Sequence, residues 1–414
     1  MSLSYSETLA ELFARLPMFQ RVGKAAYKAN LDNTWTLMDA FGHPEKAFPC
    51  IHIAGTNGKG SVSCGMCAML AEAGYSVGLY TSPHLLDFRE RIQINGVCIP
   101  ESSVIEFYQR LSPLLDELTP SFFEITVAMA FDYFRKEKVD VAVIEVGLGG
   151  RLDSTNVVNS ILGAIVSIGH DHMDLLGDTL EKVALEKAGI AKNGLPMVLG
   201  RNGNETDAVL MEETQRLGAN SIWAGPAPSP WIEAFALKGS YQVHNISVLY
   251  GLWKCLPEPF QVSEEQALMG LANVRKWSQI RGRWEVLQEQ DPFVVCDTGH
   301  NAEALQHTLA QFQTHAPMEQ CHFVWGAVGD KDLQKVLAML PNGAHYYWCC
   351  PSIPRGLPAS ELQIKAAELG LSGQVFSSVA DAYQAAVSQA STGDALYIGG
   401  STFVVADLLA HLQD

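Results

Sequence analysis

The chain has 414 residues, of which 48% are hydrophobic, so it is long enough to bury the cores of two or three domains. Its 45 acidic and 28 basic residues give a formal net charge of −17, and no run rich in lysine or arginine interrupts this excess. A surface of that charge repels polyanions, so nucleic acid is excluded as an expected partner.

The N-terminal sequence and the cysteines indicate the compartment. The first seven residues lack the basic and apolar regions of a secretory signal, and no apolar stretch is long enough to span a bilayer. Nine scattered cysteines fit buried, reduced thiols better than a disulfide framework. Cys64 and Cys67 form a CxxC pair, but no second pair completes a zinc site, so we interpret both as core residues. We expect a cytoplasmic protein with no membrane partner.

Short apolar, β-branched runs alternate with longer amphipathic segments, a pattern typical of βαβ units. The first series of strands is predicted at residues 50–54, 139–146, 161–168 and 196–199, with helices at 61–73 and 121–136. A proline-rich segment, 224–230, is predicted to be a surface connection ahead of a helix that begins near His244. The second series of strands is predicted at residues 293–297, 322–328, 345–349 and 395–398.

These two series predict an α/β fold with a P-loop-type, mostly parallel sheet flanked by helices and a second, smaller α/β domain at the C-terminus. A charged, glycine-containing stretch, residues 281–285, precedes the first strand of the second series. We therefore predict a first domain of residues 1–283 and a second domain of residues 284–414.

A glycine-rich loop, residues 55–61, lies between a predicted strand and a predicted apolar helix and reads Gly-Thr-Asn-Gly-Lys-Gly-Ser. In such a position the loop amides and the helix N-terminus face phosphate oxygens, and Lys59 adds a positive charge. The general P-loop has Ser or Thr directly after its lysine, whereas here Gly60 stands between Lys59 and Ser61. The alternative is a glycine-rich turn without a ligand, but the loop is predicted to bind phosphate.

Glu145 lies inside an apolar strand just before a glycine-rich turn. A buried charge is unfavourable unless it is paired or bound to a metal. Glu145 is therefore a candidate magnesium ligand at the carboxyl end of its strand, and pairing with an arginine or lysine is the alternative. No GxGxxG follows, which disfavours a dinucleotide-binding fold.

Further polar residues follow in the chain. Residues 170–174 contain two histidines and two aspartates, which fit either zinc or, next to a nucleotide loop, a phosphate-bridged magnesium ion. Lys187 lies in a helical segment, where a surface lysine is the ordinary interpretation. The cluster at residues 297–301 directly follows a predicted strand, where α/β folds place ligand contacts.

Taken in this order, these segments resemble the folylpolyglutamate synthase/dihydrofolate synthase family, a branch of the Mur ligase superfamily. The likeness runs over nearly the whole chain. Its most specific parts are the Lys-Gly-Ser of the phosphate loop and the run Glu-Val-Gly-Leu-Gly-Gly-Arg-Leu-Asp-Ser-Thr-Asn from Glu145. The resemblance implies an ATP-binding domain over residues 1–283, a glutamate-ligase domain over residues 284–414, and no organic redox cofactor.

The resemblance also implies the reaction and its residues. ATP would convert a folate-type carboxylate to an acyl phosphate, which the amine of L-glutamate then attacks. The implied ATP contacts are Thr56, Asn57, Gly58, Lys59, Gly60, Ser61, Asn245, Arg283 and Asp297. The implied ligands of two magnesium ions are Ser82, Glu145, His172 and Lys187, the last as a carbamylated lysine. The implied contacts to the pteroate part of the acceptor are Ser121, Phe122, Phe123, Glu124, Leu152, Asp153 and Ser154. The implied catalytic residues are Lys59, Glu145, His172, Lys187 and His300.

Several alternatives stay open at this point. The acceptor is dihydropteroate, a tetrahydrofolate or both, so a monofunctional folylpolyglutamate synthase is one alternative. A peptidoglycan-precursor ligase of the same superfamily is a second, and a regulatory module that only binds and hydrolyses ATP is a third. We expect small-molecule partners only, namely dihydropteroate or folates and L-glutamate, and a monomeric protein.

Overall fold

The computed structural model describes residues 3–16, 30–116, 118–170, 173–203, 205–329 and 333–413. These residues form two compact units, which differ in size. The first contains the described residues up to Ala236 together with Val243–Ile280, and the second contains Leu237–Gln242 and Arg281 onward. The predicted boundary at residue 283 therefore lies three residues after the end of the first unit, and a short segment before it belongs to the second.

The strands form one sheet in each unit. They are β1 Cys50–Ala54, β2 Val77–Tyr80, β3 Ile92–Ile94, β4 Val97–Cys98, β5 Val141–Glu145, β6 Ser160–Ile165, β7 Pro196–Leu199, β8 Asn220–Trp223, β9 Glu285–Gln288, β10 Phe293–Cys296, β11 Cys321–Gly326, β12 His345–Cys349, β13 Gly373–Val375 and β14 Ala395–Gly399. The first sheet has the order β4-β3-β2-β5-β1-β6-β7-β8. Its β2–β3 and β3–β4 pairs are antiparallel, and its other pairs are parallel. The second has the order β13-β12-β11-β14-β10-β9, and only β9 is antiparallel. Two mostly parallel sheets confirm the predicted fold class.

The α-helices connect and cover these strands. They are α1 Tyr5–Arg15, α2 Asp32–Ala40, α3 Lys59–Glu72, α4 Glu101–Leu111, α5 Phe122–Glu137, α6 Met173–Leu176, α7 Leu180–Ala188, α8 Thr206–Arg216, α9 Ser229–Ala234, α10 Gln242–Lys254, α11 Glu264–Ala272, α12 Val274–Ser278, α13 Ala302–Phe312, α14 Leu333–Leu337, α15 Ala359–Ala367, α16 Val379–Gln389 and α17 Thr402–His411. Short 3₁₀ helices occur at Pro44–Lys46, Phe88–Arg91, Ser112–Asp116, Ser154–Val157 and Met318–Gln320.

Helix α3 has no polar face, and its residues 61–71 are all buried. This is the pattern expected for a helix inside the core of a domain. It packs on the first sheet with one face and against α11 and α12 with another. The approach is close: a Cβ on Gly270 of α11 would lie 2.6 Å from the Ala68 carbonyl oxygen of α3. Cys64 and Cys67 are buried in this helix and are not joined in a disulfide, in agreement with their interpretation as core residues.

The second unit has an aromatic core between its sheet and helices. Trp325, Trp348, Tyr397 and Phe323 project from three adjacent strands and are fully buried. Phe312 of α13 closes the cluster, with its ring 5.2 Å from that of Phe323. This unit thus has a hydrophobic core of its own.

The proline-rich segment differs from its prediction. Residues 224–228 are irregular, but Ser229 and Pro230 begin helix α9. Proline is tolerated in the first helical turn because its missing amide hydrogen would have no partner within the helix there. The following helix α10 begins at Gln242, close to the predicted position. Among the described residues, no helix is long and apolar enough to cross a membrane.

Candidate active site

The phosphate loop, residues 55–61, follows β1, and its last three residues form the start of α3. Gly55 has φ +153° and Gly58 has φ +85°, conformations that L-amino acids with side chains rarely adopt. A Cβ on Gly55 would lie 3.1 Å from both the Ser167 amide nitrogen and the Val166 Cβ. Gly58 is the N-cap of α3, and no side chain caps this helix. The two glycines therefore allow positive φ angles in the loop, and the missing side chain of Gly55 allows residues 166 and 167 to approach closely.

The segment after β6 anchors the loop. The Thr56 amide donates to the Ser167 carbonyl (2.8 Å), and the Asn57 amide donates to Ser167 Oγ (2.9 Å). Ser167 Oγ in turn donates to the Asn57 carbonyl (2.9 Å), and the Thr56 hydroxyl pairs with the backbone of Gly169. Ser167 and Gly169 are not among the site residues predicted from the sequence. The available signal was their position directly after a parallel strand that neighbours β1.

Two lysines meet at one loop carbonyl. Lys59 Nζ donates to the carbonyl oxygens of Gly55 (3.0 Å) and Thr56 (3.1 Å). Lys187 Nζ, from α7, donates to the same Gly55 oxygen at 2.9 Å, and Lys187 is only 4% exposed. The structure thus contradicts the interpretation of Lys187 as a surface lysine, because α7 lies against Gly150 of the turn after β5 and places Lys187 beside the loop. Burial could not be derived from the local sequence.

A pocket opens beside these two ammonium groups. Its lining residues come from the phosphate loop, the turn after β5, and helices α6 and α7: Gly55, Thr56, Lys59, Val146, Gly147, Leu148, Gly149, Leu176 and Lys187. Glycine backbone and two lysines make a lining that suits an anion and disfavours a cation.

Glu145 and Ser82 lie close together at neighbouring strand ends. Glu145 is the last residue of β5, which pairs in parallel with both β1 and β2. Its carboxylate is 4% exposed, and Oε2 accepts a hydrogen bond from the Ser82 amide at 3.2 Å. His172, the third predicted metal ligand, lies outside the described residues. Within the described ranges, no group of three or more His, Cys, Asp or Glu side chains could by itself hold a metal ion.

Asn245 is placed at the loop by α10. A Cβ on Gly58 would lie 2.2 Å from Asn245 Oδ1, so the side chain occupies the space that glycine leaves. The preceding His244 bonds through Nε2 to the Val166 carbonyl (2.7 Å), at the end of β6. The predicted nucleotide contact Asn245 therefore lies directly against the phosphate loop.

The predicted acceptor segment Ser121–Glu124 forms the start of α5. Ser121 and Glu124 form a capping box, in which the Ser121 amide donates to Glu124 Oε2 (2.5 Å) and the Glu124 amide donates to Ser121 Oγ (3.2 Å). Phe122 is buried in the core, with its ring 5.8 Å from that of Phe88. Phe123 is only partly buried, and a Cβ on Gly147 would lie 2.3 Å from its Cζ. Of the two phenylalanines, only Phe123 is partly exposed, and its ring lies against the turn that lines the pocket.

The second predicted acceptor segment, Leu152–Ser154, leads into the 3₁₀ helix Ser154–Val157. Asp153 is its N-cap: Oδ1 accepts from the Thr155 amide (3.0 Å) and the Thr155 hydroxyl (2.5 Å), and Oδ2 accepts from the Leu148 amide (2.8 Å). Burial raises the pKa of Asp153, while these hydrogen bonds oppose the rise. The hydrogen bonds of this carboxylate hold the turn after β5 in place.

The predicted residues of the second unit gather around the end of β10. The Asp297 carboxylate accepts from the Tyr241 hydroxyl (2.7 Å) and from the amides of Trp284 (2.6 Å) and Gly299 (2.7 Å). Arg283 donates to the Thr298 hydroxyl, and the exposed His300 bonds through Nδ1 to the Thr298 carbonyl (3.1 Å). Burial raises the pKa of Asp297. The three predicted residues therefore share one strand end.

Comparisons with known proteins agree with this arrangement. The Mur ligase middle domain matches residues 53–248, and the Mur ligase glutamate ligase domain matches residues 282–402. The chain is 33% identical to the dihydrofolate synthase/folylpolyglutamate synthase of Bacillus subtilis, over 94% of this chain and 96% of that protein.

Solved structures give the same result. The structure of Escherichia coli FolC in complex with DHPP and ADP is 27% identical and has a TM-score of 0.87, covering 100% of this chain and 98% of that one. A bifunctional folylpolyglutamate synthase/dihydrofolate synthase with Mn, AMPPNP and L-glutamate bound is 28% identical, with a TM-score of 0.83 and complete coverage of both chains. The resemblance drawn from the motifs is confirmed: the chain belongs to the folylpolyglutamate synthase/dihydrofolate synthase family of Mur ligases.

Proposed function

We propose that this protein is an ATP-dependent ligase that joins L-glutamate by an amide bond to dihydropteroate and to folates. The observation that carries the proposal is the pocket at the end of β1, where Lys59 and Lys187 both donate to the Gly55 carbonyl. Relatives that align over nearly their whole length carry both activities in their names. The protein is expected to act as a monomer in the cytoplasm.

The loop fits the phosphates of ATP. Helix α3 has 14 residues and begins at Lys59 without a side-chain cap, so its N-terminal amides suit an anion. Lys59 adds a charge that stabilises the transferring phosphoryl group. Thr56 to Ser61 would hold the phosphates, and Asn245 would support the nucleotide from the other side of Gly58.

The reaction needs ATP because a carboxylate has no good leaving group. An acceptor carboxylate oxygen attacks the γ-phosphorus, ADP leaves, and an acyl phosphate forms. The glutamate amine then attacks the acyl carbon, phosphate leaves, and the amine loses its proton. A site that binds and orients these groups would also exclude water, which would otherwise hydrolyse the acyl phosphate.

Oxygen donors for a divalent metal ion, which would neutralise charge on the phosphates, come from Glu145 and Ser82, and neither is among the residues that line the pocket. Glu145 supplies a buried carboxylate at 3.2 Å from the Ser82 amide, in a position where oxygen ligands suit Mg²⁺. Ser82, Glu145 and His172 would hold one magnesium ion. Lys187 would ligate a second through a carbamate on Nζ, which exchanges its positive charge for a carboxylate. A similar protein of known structure has Mn, AMPPNP and L-glutamate bound, which supports a divalent metal and a nucleotide as ligands.

Phe123 and the neighbouring turn would hold the flat pteroate part of the acceptor. The partly buried ring lies against Gly147 and can stack on a planar ligand. Ser121 and Glu124 shape the start of α5, and the segment Leu152–Ser154 would complete the acceptor site. In the second unit, Arg283 and Asp297 would contact the nucleotide, and His300 would act near the reacting groups.

Glutamate incorporation tests the proposal directly. Purified protein with ATP, Mg²⁺ and radiolabelled L-glutamate is offered dihydropteroate, a tetrahydrofolate, or a uridine-nucleotide peptidoglycan precursor. We expect label in the products of the first two acceptors and phosphate release that requires glutamate. Incorporation into the tetrahydrofolate alone would indicate a monofunctional folylpolyglutamate synthase. Phosphate release without glutamate consumption would refute the ligase, and a bicarbonate-free arm of the assay tests the carbamate on Lys187.

A further inference from the structure

A buried histidine lies in β1, two positions before the end of that strand. His52 is fully buried within an otherwise apolar strand, where it pairs in register with Ile144 of β5 and Gly163 of β6. Burial lowers its pKa to about 3, with a smaller contribution from Lys192, so the imidazole is neutral. A polar ring in this place is unfavourable unless a hydrogen bond compensates its burial.

The hydrogen bonds around His52 fix its tautomer. Its Nε2 lies 2.8 Å from Thr155 Oγ1, and that hydroxyl donates its only hydrogen to Asp153 Oδ1 at 2.5 Å. The hydroxyl oxygen can therefore only accept from the imidazole, so Nε2 carries the hydrogen and Nδ1 does not. Consistent with this assignment, Nδ1 has no hydrogen-bond partner in the described part of the chain.

The chain of hydrogen bonds continues to the wall of the pocket. Asp153 Oδ2 accepts from the amide of Leu148, and both Leu148 and Gly147 line the pocket beside the two lysines. The ring of Phe123 packs against Gly147. One series of hydrogen bonds thus links β1, through the Thr155 hydroxyl and the accepting Asp153 carboxylate, to the turn that separates the phosphate pocket from Phe123.

We propose that His52 is a positioning residue for the ligase reaction: through Thr155 it orients the Asp153 carboxylate, which holds the Gly147–Leu148 turn against Phe123. The expected effect of His52 on the kinetics rests on the proposed function. His52 is fully buried and is not among the residues that line the pocket. Its effect is to place the acceptor relative to the phosphate loop, and small misplacements of reacting groups have large effects on rate.

Substitutions that remove one donor at a time test this chain. His52→Leu replaces the imidazole with an apolar side chain of similar size, and Thr155→Val keeps the shape of threonine without its hydroxyl. We expect each to raise the KM for the acceptor about tenfold while the KM for ATP changes by less than about twofold. The double variant is expected to be no worse than Thr155→Val alone, because both changes break the same chain.

Two further variants separate positioning from packing. His52→Gln offers an amide donor to Thr155 and is expected to restore most of the acceptor affinity. Thr34→Val is the matched control, because Thr34 is fully buried and its hydroxyl has no partner among the described residues. It should leave both KM values unchanged. Equal impairment by His52→Leu and His52→Gln would refute the proposal and indicate a packing role only.

Hydrogen exchange at the Leu148 amide gives a readout without turnover. Exchange should accelerate in His52→Leu and Thr155→Val and stay at the wild-type rate in His52→Gln. If the wild-type protein ligates neither acceptor, the proposed function fails, and the exchange result alone decides whether the positioning chain exists. Wild-type exchange in both His52→Leu and Thr155→Val would overturn it.

Discussion

The two units contain similar turns from strand to helix, but the two helices are capped differently. In the first, β1 leads through Gly58 (φ +85°) into α3; in the second, β14 leads through Gly400 (φ +89°) into α17. Both glycines have nearly the same backbone conformation. The difference is in the cap: Ser401 Oγ accepts from the Phe403 amide (3.2 Å), whereas α3 has no side-chain cap.

This contrast indicates what would distinguish a ligand-binding turn from a purely structural one. The first amides of any helix have no partner within the helix. At α17 a serine of the protein itself satisfies one of them, so the turn is complete without a ligand. At α3 the N-cap is glycine, and Lys59 and Lys187 add positive charge beside it. Glycine alone is therefore a weaker indicator than glycine with an absent cap and nearby cations.

The largest expected effect comes from Lys59→Ala. Loss of the ammonium group removes charge stabilisation from phosphoryl transfer, so we expect ligation to fall by about 10³-fold or below detection. The unfolding temperature should barely change, because Lys59 bonds only loop carbonyls among the contacts described. Lys254→Ala, which removes an exposed lysine that lies over the Tyr250 ring, is the control and should retain full activity. Near-normal product formation by Lys59→Ala would end the assignment of this loop.

An intermediate effect is expected when the same change is made at both turns. Gly58→Ala would bring Cβ to 2.2 Å from Asn245 Oδ1, and Gly400→Ala would bring it to 2.6 Å from the Gly326 carbonyl oxygen. Both variants should lose about 1–2 kcal/mol of unfolding free energy, because alanine is disfavoured at positive φ. Only Gly58→Ala should also raise the KM for ATP, by about tenfold or more. An equal rise in both variants would contradict the distinction between the turns.

The smallest expected effect is that of Ser401→Ala. It removes the side-chain cap of α17 and should lower the free energy of unfolding by about 1 kcal/mol, measured by denaturant titration. Its KM for ATP should equal that of the wild-type protein. A change in ATP affinity without a change in stability would show that the second turn also takes part in nucleotide binding.

Most strands could be predicted because buried parallel strands are continuous apolar runs. Both β1 and β12 have the predicted bounds, Cys50–Ala54 and His345–Cys349. The strand predicted at 161–168 is shorter in the structure and ends at Ile165. Its last predicted residues leave the sheet because Ser167 bonds the phosphate loop instead. Periodicity cannot detect such a change, since the partner is more than a hundred residues away.

The site was predicted unevenly for a similar reason. Local sequence indicated the loop around Lys59 and the buried carboxylate of Glu145, because each depends on the strand that precedes it. Burial of Lys187 depends on how α7 packs, and the occupied carboxylate of Asp153 depends on a contact with Leu148. Such tertiary contacts leave no periodic signal. For Lys187 the family resemblance supplied the information that the residue alone did not.

The hydrogen bonds of Lys59 bear on the entropy of ligand binding. A free lysine side chain loses about 1.5–2 kcal/mol of rotamer freedom when it is fixed in one conformation. Here the Gly55 and Thr56 carbonyls hold Nζ at 3.0 and 3.1 Å. Much of that ordering thus occurs during folding, so the ordering of Lys59 would add little to the entropic cost of binding an anion.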